Sequence, residues 1–437
     1  MTFDKVASKI EPSRLTVKRG SKRWWNEPML PYRVIDLCDE KGIFCGRILG
    51  DLGCDVIQVE KPGRGPGLNP GPSDPGSPGP RKDLFWLAYN TNKRSITLDI
   101  ENPGGKEILK RLVQKADVVL ESFSPGYMTG LGLNYEELSK VNLSLIMSSI
   151  TPFGQSGPYR DFKASDLTLW CLGGMAYVSG DPDRAPVQVS SPQAYLHGAA
   201  AAAAATLIAL YHRENTGEAQ WIDVSIQEAV VHTLMNAVQF WDLCGIVLKR
   251  SGAFRTGLST AANQRLIWRC KDGYVNFPIY ATAGGAQSNA KLVRWMESEG
   301  IRDEYLSSIQ WEEFDLSIAS QDQFDRVEGS LGRFFKSHTM DELYQGAIER
   351  GIMLYPVYGA REIREDPQLM ARGFWSNMDH PELGEVSFFP GSPFVFSGER
   401  QNIHRASLPG EHNKDIYCAE LGISEEEFVT LKEAGVI

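Results

Sequence analysis

The chain lacks a basic excess, a long apolar run, a metal-ligand spacing and a paired-cysteine motif. Lysine plus arginine number 45 against 55 aspartate plus glutamate, a formal net charge of -10. A nucleic-acid-binding body needs a broad basic face, so no nucleic-acid partner is expected. No stretch reaches the roughly 18 consecutive apolar residues of a membrane span. The N-terminus carries no apolar segment of the signal-peptide kind. The expectation is a cytoplasmic protein without a membrane partner. The seven cysteines, at positions 38, 45, 54, 171, 244, 270 and 418, are odd in number, widely spaced and without C-x-x-C. Free thiols in a reducing compartment, and no zinc or other metal site, follow from that pattern. No H-E-x-x-H, P-loop or G-x-S-x-G occurs, which removes zinc hydrolases, nucleoside triphosphatases and α/β-hydrolases of the serine type.

What is present supports a large, well-packed molecule. Hydrophobic residues make up 42% of 437 positions, enough for two or three folding units of about 150 residues each. Residues 1–31 read as an N-terminal arm, with Lys5, Lys9, Arg14, Lys18, Arg19, Lys22 and Arg23 against Asp4, Glu11 and Glu27, then Trp24 and Trp25. An aromatic-anchored arm packs on the body or on another subunit. From Arg33 the pattern becomes regular. A strand at Arg33–Leu37, a helix at 42–52 and a strand at Val56–Glu60 make a β-α-β unit, which implies a parallel sheet. Proline and glycine then crowd the segment from Pro62 to Pro80, where no helix or central strand survives. A second unit follows: a strand at Ser95–Ile100, a helix opened by Asn102 and Pro103, a strand at Val118–Leu120, a helix near 135–140 and a strand at Leu143–Ser149. This order marks a doubly wound α/β domain. An alanine-rich helix at 193–212 is expected to pack on all sides, and a second apolar helix is expected at 227–243. Asp272-Gly273 between two alternating runs predicts a hairpin. A further helix is capped by Thr339 and Glu342 and closed by Gly351, and a buried strand is read at Ile352–Tyr358. The expected division is an arm (1–31), the first part of a large domain (32–215), a small α+β domain (225–335) and the C-terminal part of the large domain (340–437).

The opening β-α-β unit invites a dinucleotide site, but the turn reads Cys38-Asp39-Glu40-Lys41-Gly42-Ile43-Phe44-Cys45-Gly46. The first two glycines of G-x-G-x-x-G are missing, and two acids stand where pyrophosphate would lie. Three other segments carry chemistry. Asn90-Thr91-Asn92-Lys93-Arg94 gathers cations before a parallel strand, near Lys61, Arg64, Arg81 and Lys82; it is either a phosphate cradle or a solvated charged loop. Glu121-Ser122-Phe123-Ser124-Pro125-Gly126 follows a buried strand, where open α/β sheets place ligands, and Phe123 is a stacking surface or a core ring. Ser149 to Pro158 is glycine-rich, and Asp166 opens the next helix either as a simple cap or as a reactive carboxylate. Trp170, Tyr177, Phe240 and Trp241 read as core aromatics, with a substrate pocket as the alternative.

Taken in order, these segments resemble the class III CoA-transferases, the group that includes formyl-CoA:oxalate and carnitine CoA-transferases. The resemblance runs from about Tyr32 to the C-terminus and is carried by Arg33-Val34-Ile35-Asp36-Leu37, Leu52 to Gly63, Asn92 to Asp99, Ala116-Asp117-Val118, Phe123-Ser124-Pro125-Gly126 and Phe153 to Tyr159. Arg213 to Glu218, Gly391-Ser392-Pro393-Phe394 and Gly410-Glu411-His412 continue it. The resemblance implies an α/β fold: a Rossmann-like parallel-sheet large domain, a smaller α+β domain, and two chains interlocked as a dimer. It implies Asp166 as nucleophile and Lys61, Asn92, Lys93, Ser122, Phe123 and Phe153 as residues facing the coenzyme. It also implies acyl-CoA and a small carboxylic acid as substrates, with no permanently bound cofactor. The partner chain would be a second copy or a related subunit. The chemistry suits a carboxylate: attack on the thioester gives a mixed anhydride and then an aspartyl-CoA thioester, splitting one hard exchange into easier steps.

Departures from the family pattern are specific. Formyl-CoA transferase carries a glutamine in the first loop, where this chain has the shorter Asp39-Glu40-Lys41-Gly42. Its tetraglycine lid is matched only by Gly284-Gly285, in another context. Gly130 stands at the place of a phosphate-binding arginine, and Ser122 at that of an asparagine. These differences argue against oxalate as acceptor. Two alternatives share the fold: a 2-methylacyl-CoA racemase, disfavoured because Ser149-Ile150-Thr151 lacks the racemases' histidine, and a non-catalytic subunit of a heteromeric transferase.

Overall fold

A computed structural model of the chain describes residues 31–63, 84–256, 262–280, 283–380, 385–396 and 401–437. The arm before residue 31, with Trp24 and Trp25, lies outside the described residues, as do Arg64, Arg81 and Lys82.

Six parallel strands form the main sheet: β1 (Arg33–Leu37), β2 (Asp55–Glu60), β3 (Lys93–Thr97), β4 (Val118–Glu121), β5 (Ile146–Thr151) and β6 (Trp221–Ser225), in the order β3-β2-β1-β4-β5-β6. The strand order reverses between β1 and β4, which opens a crevice at their carboxyl ends. The strands are apolar on both faces, as a sheet covered on both sides requires. Adjacent residues point to opposite faces. Val34, Val56, Val118, Leu120, Ile146 and Ile150 therefore join one buried cluster, while Ile35, Ile57, Ile96, Val119 and Met147 join the other.

Helices α1 (Ile43–Asp51), α2 (Leu84–Tyr89), α3 (Pro103–Val113), α4 (Tyr127–Leu131), α5 (Tyr135–Val141), α6 (Asp166–Leu172), α7 (Met175–Val178), α8 (Gln193–Thr216), α9 (Ile226–His232) and α10 (Met235–Cys244) connect and flank the strands. Asn102 caps α3 by accepting the Gly104 N–H at 2.9 Å, with Pro103 at its first position. The chain end returns to the large sheet: Ile416, Tyr417, Val436 and Ile437 are buried with Ile35 and Leu109, and the Tyr417 hydroxyl donates to the Thr97 carbonyl at 2.6 Å. A third cluster, around Trp268, Phe277, Phe334 and Phe335, runs from Ala262 to Leu354. It is built on the hairpin of β9 (Ile267–Arg269) and β10 (Tyr274–Asn276), which follows a short pair, β7 (Phe254–Thr256) with β8 (Asn263–Arg265). Gly284 and Gly285 sit in the first turn of α11 (Ala283–Ser298). The fold is α/β, a parallel sheet with a smaller α+β unit.

Several elements differ from their sequence expectation; β3 runs over Lys93–Thr97 rather than Ser95–Ile100. The fifth strand starts at Ile146, not Leu143, because the Asn142 side chain donates to the carbonyls of Val113 (3.0 Å) and Ala116 (2.7 Å) and holds the chain in a turn. The helix read over 227–243 breaks at Thr233 and Leu234, where the Thr233 hydroxyl bonds back to the Val230 carbonyl at 2.7 Å. The strand read over 352–358 shrinks to Tyr355–Pro356, since proline has no N–H to offer a ladder. Helix α8 packs on α1, α6, α9, β5 and β6 but leaves Ile208 and Tyr211 exposed. Among the described residues it is also the one helix long and apolar enough to cross a membrane, and half of its apolar window is buried.

Candidate active site

The crevice between β1 and β4 is organised by a buried ion pair below it. Lys93 Nζ lies 2.8 Å from Asp36 Oδ2, 2.8 Å from the Ile43 carbonyl and 3.1 Å from Gln58 Oε1. Both charged side chains are closed to solvent, at 1% and 0% exposure. Lys93 therefore has its three protons committed inside the protein and joins β1, β2, β3 and the start of α1. Asn92 is likewise committed. Its backbone adopts φ 61°, its amide donates to Asp51 Oδ1 at 2.8 Å, and its oxygen accepts the His404 N–H at 2.7 Å. The sequence expectation placed both residues against the coenzyme; here their side-chain polar groups are engaged within the protein.

The other expected residues form a linked group at the strand ends. Ser122 joins the two loops of the crevice: its hydroxyl donates to Asp39 Oδ1 at 2.8 Å and accepts the Asp39 N–H at 2.9 Å. Lys41 pairs with the same carboxylate. Phe123 stacks on Tyr127, with centroids 4.6 Å apart and planes 27° off parallel. The Tyr127 hydroxyl donates to Glu101 at 2.8 Å, and Lys61 holds the second oxygen of Glu101 at 2.6 Å. Lys61 and Phe123 are thus joined through Tyr127 and Glu101, with Lys61 open to solvent, while Ser122, next to Phe123 in the chain, is buried.

Phe153 follows β5 and meets Tyr159 edge-on at 5.8 Å. Gly154, at φ 85°, turns the loop so that the Gln155 N–H reaches both oxygens of Asp223, at 3.0 and 2.9 Å. A side chain at that φ would be strained. Phe153, Gly157, Tyr159, Asp223 and Glu228 line a shallow cavity of about 270 Å³.

Asp166 is the first residue of α6, while Ser165 is the cap and accepts the Thr168 N–H at 3.3 Å. The Asp166 carboxylate is spent elsewhere: its Oδ1 accepts the backbone N–H of Tyr195 at 2.9 Å. Tyr195 lies in the first turn of α8, whose N-cap, Pro192, supplies no side-chain acceptor. The orphan amides at this helix start find their acceptor in Asp166. Burial pushes its carboxyl above the ordinary range. The amides of Tyr195 and Ala194 and the charge of His197 oppose that rise, and Glu40 adds to it. A carboxylate so placed is half-buried and held by the backbone of a second helix.

Glu40 belongs to the first loop already noted for its departure from the family pattern; Tyr195 and His197 carried no signal in the sequence. The His197 Nδ1 lies 2.6 Å from the Gln193 carbonyl, which can only accept, so Nδ1 bears the proton. Its ring stands 6.4 Å from that of Trp170, whose buried indole N–H has no protein partner. Asp39 and Glu40, adjacent in the chain, join the two halves of the site: one is bonded to Ser122, and the other acts on Asp166 and Tyr195. Of the expected core aromatics, Trp170 is buried, but Tyr177 and Trp241 are exposed.

A family model described as CoA-transferase family III matches residues 31–413. Succinyl-CoA:(R)-benzylsuccinate CoA-transferase subunit BbsE of Thauera aromatica is 34% identical over 93% of this chain and 97% of its own length. Succinyl-CoA--D-citramalate CoA-transferase of Chloroflexus aurantiacus is 29% identical over 94% of this chain and 98% of its own. The crystal structure of a CAIB/BAIF family protein from Brucella suis superposes with a TM-score of 0.74 and 26% identity, covering 90% of this chain and 99% of that one. With that family model matching most of its length, the chain belongs to CoA-transferase family III.

Proposed function

We propose that the protein moves CoA from an acyl-CoA donor to a carboxylic acid through covalent intermediates on Asp166. The observation that carries this reading is the placement of Asp166: half-buried, at the start of one helix and hydrogen-bonded to the first turn of another. In the first step an Asp166 oxygen attacks the thioester carbonyl and the C–S bond breaks, giving a mixed anhydride and CoA thiolate. The thiolate then attacks the Asp166 carbonyl carbon, forming an aspartyl-CoA thioester and releasing the donor acid as its carboxylate. The acceptor carboxylate attacks that thioester, and the steps run in reverse. No net proton is consumed. When the thiolate adds to the Asp166 carbonyl carbon, the negative charge falls on an Asp166 oxygen, which the Tyr195 amide already holds and would stabilise. Low hydration keeps the carboxylate reactive and the anhydride from hydrolysis.

Lys61, Ser122, Phe123 and Phe153 would hold the coenzyme, with Phe123 on Tyr127 as a flat platform for the adenine. Asn92 and Lys93 would serve by holding β3 and the turn after β1 in place. The donor to test first is succinyl-CoA, which two relatives are named for. Assembly with a second copy or a related subunit, in the cytoplasm and without a permanently bound cofactor, completes the proposal.

The test is Asp166→Ala with a hydroxylamine trap. During turnover with succinyl-CoA and candidate acids, hydroxylamine converts an aspartyl-CoA adduct to a hydroxamate at Asp166, detectable by peptide mass spectrometry. Undiminished turnover of the Asp166→Ala protein would overturn the mechanism.

A further inference from the structure

Glu121 is the last residue of β4 and is 3% exposed. The parallel register puts Leu37 of β1 on one side of it and Ser149 of β5 on the other. Its Oε2 accepts the Phe123 N–H at 2.8 Å, and the Ser149 hydroxyl donates to its side chain. Ser149 is itself held by the Trp221 indole N–H at 3.0 Å. A chain of hydrogen bonds therefore runs from β6 through β5 and β4 and ends on the backbone of Phe123. No step of the proposed reaction uses it.

A carboxylate grips an amide more strongly than a neutral acid does. We propose that Glu121 is a positioning residue for coenzyme binding: its negative charge fixes the Phe123 backbone, and with it the aromatic platform, while loss of that charge loosens the loop. The inference rests on the reading of residues 122–126 as a coenzyme-binding segment. Burial, helped by Asp39, pushes the Glu121 carboxyl up to about 7, against the pull of Ser149, the Phe123 amide and Lys41. Lys41 and Asp39 are the charged groups that act on it, both from the turn after β1. The charge is thus gained and lost across the neutral range. Coenzyme affinity should rise with pH through that range, because the binding-competent loop belongs to the ionised form.

The experiment is calorimetric titration of the full chain with 3′-dephospho-CoA between about pH 6 and pH 8. This probe lacks the phosphate monoester that would titrate in the same window. The wild-type protein should bind more tightly as pH rises. Glu121→Gln should bind about tenfold more weakly at the upper end, with no pH dependence left. Ser149→Ala, which removes a donor to the carboxylate, should move the midpoint to higher pH. Unfolding midpoints of each variant report on folding. Equal affinity and an equal pH profile in wild type and Glu121→Gln, or an unmoved midpoint in Ser149→Ala, overturn the inference while leaving the coenzyme site intact. Failure of the wild-type protein to bind either CoA or the probe overturns the coenzyme reading itself, and this inference with it.

Discussion

At the scale of single residues, two lysines show how identical charges take opposite work. Lys61 is exposed and paired with Glu101; such a pair contributes about 0–1 kcal/mol. Lys93 is enclosed with Asp36. Removing one partner of a buried pair costs about 3–5 kcal/mol, because the other charge is left without compensation. Lys61→Ala should therefore raise KM for acyl-CoA and leave the unfolding midpoint unchanged, while Lys93→Met should lower that midpoint steeply. Chemical denaturation beside steady-state kinetics separates the two, and equal effects of both substitutions would refute the division of labour. Gly46 belongs to the same argument. A Cβ there would stand 2.1 Å from Asp36 Oδ2 and 3.0 Å from Lys93 Nζ. Gly46→Ala must displace the pair and should destabilise as Lys93→Met does. Asp166 gives the opposite sign. Burial raises its carboxyl above the ordinary range, so the folded state holds that proton more tightly than the unfolded chain. The ionised group then costs stability above its folded pKa and costs nothing below the unfolded value of about 3.9. Asp166→Asn should abolish transfer yet raise the melting temperature near neutral pH, and that gain should shrink to nothing as pH falls past about 4. A melting temperature lowered at neutral pH would contradict this account.

At the scale of elements, Ser165 and Asp166 divide duties that the sequence left together. The reading of Asp166 as a possible cap was half right in kind: a carboxylate does satisfy helix amides here, but those of α8, 29 positions away. Ser165 caps α6 instead. Ser165→Ala should cost about 1 kcal/mol and, by loosening the turn that presents Asp166, lower kcat while leaving KM for acyl-CoA unchanged; a changed KM with unchanged kcat would be the wrong pattern. Much of the sheet was legible because its signals are local: apolar strands, the Asn102 cap, and the Asp272-Gly273 turn. What stayed hidden depended on contacts between distant segments. Nothing near Asn142 announces that its side chain will reach Val113 and Ala116 and delay β5. Nothing in Asn92-Lys93 tells a phosphate-binding cation from a buried one, since the difference lies in Asp36 and Gln58. The approach of His197 to Asp166 exists only once α8 lies against α6, and that of Glu40 only once the turn after β1 meets α6. Only the motif order singled out Asp166 as the carboxylate proposed to react; spacing alone does not distinguish it from any helix-opening aspartate.

At the scale of the whole molecule, the described residues of α8 and α10 present several large apolar side chains to solvent. No residue of α10 is buried, and Val238, Trp241 and Leu243 stand 57%, 61% and 80% exposed. On α8, Ile208 and Tyr211 are in the same condition. An exposed apolar patch of this kind is the surface an associating partner would cover. The expectations of α8 packed on all sides and of Trp241 in the core are not met in the single chain. The molecule should therefore sediment as a dimer, or as a complex with a related subunit, through faces that include α10. Val238→Glu with Trp241→Glu places two charges where an apolar partner is expected and should yield monomers by sedimentation velocity, with far-ultraviolet circular dichroism unchanged because neither side chain is buried in the single chain. Transfer activity should fall with association, since α9 and α10 follow directly from β6 and the cavity beside Phe153. A wild-type chain that sediments as a monomer at micromolar concentration while transferring CoA would remove the need for any partner and return these helices to the status of an uncovered surface.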